Sequence, residues 1–178
     1  PGLLLSEVLS ISEGLRIQEK YESEEKQEFE IVKQYQFSKY SGIKKGVYIS
    51  QKNLGKVVSV GTDRYSKIIA KKILIMEDGL EINATVDYQK MVPQGGVYFG
   101  VLIKQDADIA FVLGIMNSRL LSFIYEIMYA GMHMGGGWLR YRSKFLENLP
   151  VNKSVLAPEK KMVSSVVKLV DQILSVTS

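Results

Sequence analysis

His133 is the only histidine in this chain of 178 residues, and no cysteine accompanies it. A general base needs a positioned partner, and an imidazole alone in the Met132-His133-Met134 glycine loop has none in sequence. Disulfides and thiolate metal sites are excluded outright. Glu77 and Asp78 are adjacent carboxylates, but beside Gly79 they read as solvated turn residues. Gly135-Gly136-Gly137 lacks the Lys-Ser/Thr pair of a phosphate-binding loop. A turn that lets the backbone pass close to a neighbour, protein or DNA, accounts for the glycines better. No catalytic, cofactor-binding or metal-ligating residue is assigned.

The residue types that remain suit contact with an anionic polymer. Three loops combine cations, amides and aromatics: Gln36, Lys39 and Tyr40 before Lys44 and Lys45; Arg64 and Lys67 before Lys71; and Arg140, Arg142 and Lys144 after the glycine run. Ammonium and guanidinium groups neutralise phosphates, while Arg and Gln make paired hydrogen bonds to base edges in the major groove. The alternative is a set of solvated strand ends with aromatics turned inward, since such residues are also common in ordinary strands. Charge adds a modest argument. Residues 1–30 carry eight of the 19 acidic side chains and three of the 23 basic ones, so residues 31–178 carry 20 basic and 11 acidic, a net of +9. Such a field favours an anionic partner.

The elements that must position these loops are mixed. Residues 3–17 read as a short strand or helix with a turn at Gly14, and residues 21–30 as an exposed acidic loop. Period-two runs at 29–35 and 80–86 read as strands, as do residues 47–50 and 96–104, the apolar run 72–76 and the β-branched run 57–60. Residues 62–72 read as a short helix or an extended basic loop. Asp78-Gly79 between two runs is a hairpin signal. Asp106 or Asp108 caps a helix, a second helix starts at Ser118, and Trp138 with Leu139 anchors an extended segment in the core. Residues 144–148 make one helical turn before Pro150, and Pro158 opens an amphipathic terminal helix. The expected fold is a single α+β domain with a twisted, largely antiparallel sheet, a helical pair in the last third and a C-terminal helix. The expected division is 1–156 for the recognition domain and 157–178 for a helix that packs on it or on a neighbour. No apolar run reaches bilayer length and no secretory leader stands at Pro1, so a cytoplasmic piece of a longer protein is expected.

A specific string lies at residues 113–151. It runs Leu113-Gly114-Ile115-Met116-Asn117-Ser118-Arg119-Leu120, then Phe123 and Tyr125, then Gly135-Gly136-Gly137-Trp138-Leu139-Arg140, and last Phe145-Leu146-Glu147-Asn148-Leu149-Pro150-Val151. This order resembles the TaqI-like C-terminal specificity domain of restriction–modification adenine methyltransferases, and is similar to the target-recognition domains of type I specificity subunits. Residues 72–75 with Gly79 and 84–87 resemble the family's central hairpin more weakly. Asn152-Lys153-Ser154 replaces the double proline usual in type I subunits, which favours the TaqI-like branch. The resemblance implies duplex DNA as partner, a separate methyltransferase domain in the same protein or complex, and a bacterial or archaeal cell. It also implies S-adenosylmethionine, with or without magnesium, in the parent's catalytic domains and none in this chain. The four prolines are never adjacent, so the family's Pro-Pro adenine-holding motif is absent from these residues. The alternative is an RNA-binding module or a non-catalytic protein-interaction domain, separable by comparing duplex DNA with single-stranded RNA at equal salt.

Overall fold

Short alternating runs leave strands of two to six residues, and the turns between them carry much of the chain. A computed structural model describes residues 2–44, 46–157 and 160–177. The strands and helices, in order, are β1 (Leu3–Leu4), β2 (Leu9–Glu13), β3 (Phe29–Val32), β4 (Tyr48–Ile49), α1 (Gln51–Val57), α2 (Asp63–Ile68), β5 (Lys72–Met76), β6 (Asp78–Gly79), β7 (Ala84–Asp87), β8 (Val92–Pro93), β9 (Val97–Leu102), α3 (Ile109–Met116), α4 (Arg119–Met128), β10 (Leu139–Arg140), α5 (Ser143–Glu147), β11 (Pro150–Val151) and α6 (Lys161–Thr177). The central sheet has the order β2-β9-β5-β7 and every pair in it is antiparallel. β3 joins β4 antiparallel and β8 parallel, while β1 pairs with β11 and β6 with β10. The α+β architecture expected from the sequence is present.

Alternation in β5 explains why the central sheet is covered on both faces. Ile73 and Ile75 enter one core with α3, α4 and α6; Leu74 and Met76 enter a second with β3, α1 and α2. Side chains two apart share a face, so one strand serves two cores. Lys72 begins the same strand and is fully buried opposite Asp87 of β7. Its Nζ donates to Asp87 Oδ2 at 2.5 Å, and the Asp87 carboxylate also accepts from the Gln89 and Met91 N–H groups. Burial pushes the Lys72 ammonium below the usual lysine pKa, and the Asp87 charge opposes that push.

The helical pair is cut where the sequence places its second cap. Asp108 accepts from the Ala110 and Phe111 N–H groups, and Ser118 accepts from Leu121 N–H. Between the helices, buried Asn117 docks on β7: its Oδ1 accepts from Ala84 N–H and its Nδ2 donates to the Ala84 carbonyl, both at 2.9 Å. An amide with both valences used on one backbone residue sets how the helices sit on the sheet. α6 then lies on α3, with Val163 and Val170 buried. Among the described residues no single helix is long and apolar enough to cross a membrane.

Several local expectations change. The run at 57–60 is not a strand, because Ser50 caps α1 and its helix runs to Val57. Thr62 caps α2, so residues 63–68 are helical rather than an extended loop. Asp78-Gly79 is not a tight hairpin turn: residues 77–83 make a longer connection, and Asp78 and Gly79 pair with Arg140 and Leu139. β7 therefore starts only at Ala84, with its partner Ile75 fixing the register. Pro158 lies outside the described residues, and α6 is described from Lys161.

Candidate nucleic-acid interface

The C-terminal end of β5, the C-terminal end of β2 and the N-terminal end of β9 meet at one edge of the central sheet. Their continuations, residues 14–16, 77–83 and 94–96, form the ground of the site. Gly14 makes this convergence possible: a Cβ there would stand 2.3 Å from the Gln94 carbonyl oxygen and 2.7 Å from that of Val97. With no side chain in the way, Gly14 N–H donates to Val97 O and Leu15 N–H to Pro93 O.

The β6–β10 ribbon is laid over this edge and fixed from beneath by two tyrosines. Tyr125 of α4 is fully buried; its Oη donates to the Arg140 carbonyl at 2.8 Å and accepts from Arg142 N–H at 3.3 Å. Tyr141, also buried, donates its N–H to the Glu77 carbonyl and its Oη to that of Gly79. The two rings meet at an edge, with centroids 4.8 Å apart. Burial is the main cause that pushes Tyr125 up to about 12 and raises Tyr141 as well, so both stay protonated donors. In an extended segment alternate residues share a face. With Tyr141 turned inward, Arg140 and Arg142 face out together.

Both arginines approach one carboxylate. Glu77 Oε1 lies 3.8 Å from Arg140 Nε and 3.7 Å from Arg142 Nη1, too far for hydrogen bonds but close enough for ion pairing. Each arginine side chain keeps 44 % of its surface exposed. Glu147 of α5 accepts instead from Ile11 N–H. Arg142, Arg16, Glu13, Glu77 and Tyr98 line a polar cavity of about 300 Å³. Burial, and after it the Glu77 charge, raises the Tyr98 pKa, with Arg142 acting against them. Beside it runs an open groove of about 680 Å³ walled by Tyr35, Leu80 and Trp138. Tyr35, at φ 64°, donates its Oη to Asp78 Oδ1 at 2.8 Å. That bond, more than its slight burial, raises the Tyr35 pKa.

The predicted contact residues separate into groups. Arg140, Arg142 and Arg64 gather at the sheet edge, the last donating from Nη2 to the Glu13 carbonyl at 3.0 Å. Lys39 and Tyr40 hold the first loop to the scaffold. Lys39 pairs with Glu81, whose carboxyl it keeps below the usual range, and donates to the Asn117 carbonyl at 3.2 Å. Tyr40 N–H donates to Ala84 O, while its own carbonyl accepts from Thr177. Gln36 turns its Oε1 back to Lys33 N–H, and Lys67 pairs with Asp63 at 2.8 Å. Lys71 stands over the Tyr88 ring at the opposite end of the sheet. Lys44 and Lys144 are exposed, and Lys45 lies outside the described residues. Trp138 is not a core anchor: it is 37 % exposed, and Leu139 alone is buried. Gly136 and Gly137 stand at φ 75° and 80°, which glycine adopts without strain, and a Cβ on either would meet only ordinary contacts within the chain. His133 lies 3.9 Å from Glu126 on the surface, and no group of three metal-ligating side chains occurs among the described residues.

Arg16, Glu77 and Tyr125 escape a reading by loops. Arg16 is a single cation in an acidic segment, Glu77 is masked by the turn signal, and Tyr125 lies inside an apolar helix. Only the period-two spacing of Arg140 and Arg142 around Tyr141 was a usable signal.

No curated protein sequence matches the chain. Solved structures do. A chain from a structure of the type I R-M system, studied for complex assembly and conformational transition, superposes with a TM-score of 0.63 at 12% identity, covering 99% of this chain and 40% of that one. The type I restriction-modification S subunit from M. genitalium gives 0.53 at 16% identity, covering 98% and 40%, and the HsdS subunit from Thermoanaerobacter tengcongensis gives 0.53 at 13%, covering 99% and 38%. At such identities the likeness is one of fold, and this chain spans about two-fifths of those chains. The TaqI-like C-terminal specificity domain family matches residues 13–151, which takes in the central sheet, the helical pair and the Arg140–Arg142 segment; the chain belongs to that family.

Proposed function

We propose that this chain reads a duplex DNA target for a restriction–modification enzyme and leaves the chemistry to another domain of the same protein or complex. The observation that carries the reading is the convergence of Arg64, Arg140 and Arg142 at one sheet edge, on a domain of the specificity family. Guanidiniums supply both phosphate neutralisation and base-edge donors; Arg142 lines the polar cavity, and the open groove carries a further cation, Lys39. The parent is an adenine methyltransferase, alone or fused to a nuclease, in the cytoplasm of a bacterial or archaeal cell. Its S-adenosylmethionine, and magnesium where it cleaves, belong to domains outside these residues. Methyl transfer to a base needs that base outside the stack, so the task of this chain is to hold the site in register while the neighbouring domain takes the extruded adenine.

The test is a titration of the purified protein with labelled duplex DNA across salt concentrations. Phosphate contacts release counterions, so affinity should fall steeply with salt, with a log–log slope of about −0.9 per phosphate neutralised. A flat response, or equal affinity for single-stranded RNA, overturns the reading.

A further inference from the structure

The arginines at the sheet edge are arranged for a base rather than for a phosphate. A phosphate contact needs charge and tolerates slack, whereas a base edge needs donors held at a fixed spacing. Here the backbone that carries the two arginines is held. The Arg140 carbonyl and the Arg142 N–H are both tied to Tyr125 Oη, a group with no exposed surface. The intervening Tyr141 is locked by the Glu77 and Gly79 carbonyls. A carboxylate, Glu77, stands between the guanidiniums. That charge would repel a phosphate, so its presence lowers the value of the pair as a backbone clamp.

Glu77 approaches Arg140 on its Nε side, and that Nε is buried with no hydrogen-bond partner. The exposed 44 % of the side chain therefore lies on other atoms. With Nε turned inward toward Glu77, the two Nη groups of the planar guanidinium form a fork that matches a pair of adjacent acceptors. In the DNA major groove the pair that fits such a fork is O6 and N7 of guanine, the commonest specific contact made by arginine.

We infer that Arg140 recognises a guanine through O6 and N7, with Tyr125 and Glu77 as positioning residues that aim it. The inference rests on the DNA-reading function proposed above. Tyr125 sets the backbone at Arg140 and Arg142, and the Glu77 charge draws the Nε side of the Arg140 guanidinium inward. Neither touches the DNA.

The experiment uses the full protein and a duplex selected by it from a randomised pool. Each guanine is replaced in turn by 7-deazaguanine, which lacks N7, or by inosine, which lacks only the minor-groove amine. One position should lose about 5- to 150-fold in affinity with 7-deazaguanine and almost nothing with inosine. In Arg140→Ala that penalty should vanish. In Tyr125→Phe and Glu77→Gln it should shrink several-fold while the salt slope stays that of the wild type, a readout that loss of stability alone does not move. A selected site with no 7-deazaguanine-sensitive position, or a penalty that survives in Arg140→Ala, overturns the inference while DNA binding stands. Failure of the wild type to bind any duplex at low salt removes the DNA reading itself and this inference with it.

Discussion

Tyr125 is a phenol whose packing and hydrogen bonds both require that it stay neutral. Burial pushes it up to about 12, against about 10 in an unfolded chain. The folded state thus keeps the proton to higher pH than the unfolded state. Its contribution to stability is fully present below about pH 10 and is lost as pH rises through about 12. The denaturant midpoint of the wild type should therefore fall more steeply between pH 10 and 12 than that of Tyr125→Phe, which has nothing to ionise. Urea melts followed by circular dichroism at pH 8 and pH 11 measure the difference, and parallel falls would refute it. Residue roles of this kind were only partly legible in sequence. The spacing of Arg140 and Arg142 announces a shared face, but Tyr125 is one apolar-helix residue among several until the ribbon is laid on it. Glu77 likewise reads as a solvated turn carboxylate until residues 139–140 pair with 78–79 from a long sequence distance.

At the scale of elements, the β5–β7 pairing carries the largest local risk. Lys72 is a charge with no exposed surface, held by Asp87 and by the Ala70 carbonyl at 3.2 Å. Removing one partner of such a pair leaves the other buried and uncompensated. Asp87→Ala should therefore cost about 3–5 kcal/mol, and it also frees the Gln89 and Met91 N–H groups. Lys72→Met in the same background should restore part of the loss, because the unpaired ammonium is gone and its volume is filled. Thermal melts of the single and double variants decide this, and no recovery in the double variant would refute the account. The short apolar run predicts that β5 is a strand. It does not predict that Lys72 belongs inside, since nothing local says where Asp87 will stand. The α3–α4 break is the opposite case: Asp108 and Ser118 carry the side chains that cap helices, and local chemistry is enough.

At the scale of the molecule, two cores share one sheet, and α6 closes the helical one. Val163 and Val170 are buried on α3, while Met162, Leu169 and Val176 on the same helix remain exposed. We propose accordingly that α6 is an integral part of the recognition domain rather than a separable tail. Burying two valines stabilises by roughly 3–6 kcal/mol, and at about 2–4 °C per kcal/mol for a chain of this size a protein ending at residue 157 should melt roughly 6–24 °C lower or fail to fold. An unchanged melting temperature would show instead that the helix is an appendage whose exposed apolar side is its working face.

What the sequence determined by itself is what depends on neighbours in the chain. The helix caps at Asp108 and Ser118 and the apolar run that becomes β5 follow from local residue types. The ordered string at 113–151 was enough to identify the family. Tertiary structure alone decided which cations share a surface. Arg64 at the end of β2 and the Arg140–Arg142 pair at the end of β5 come from distant segments and share one end of the sheet only because β2, β5 and β9 end or begin there. Lys39, Lys67 and Lys71 have the same charge and similar flanks, yet Lys39 is held on a carboxylate in the groove wall, Lys67 within a helix turn and Lys71 over an aromatic ring at the far end of the sheet. The physical reason is that long-range pairing sets these distances, and a side chain's charge carries no record of which strand end it will meet.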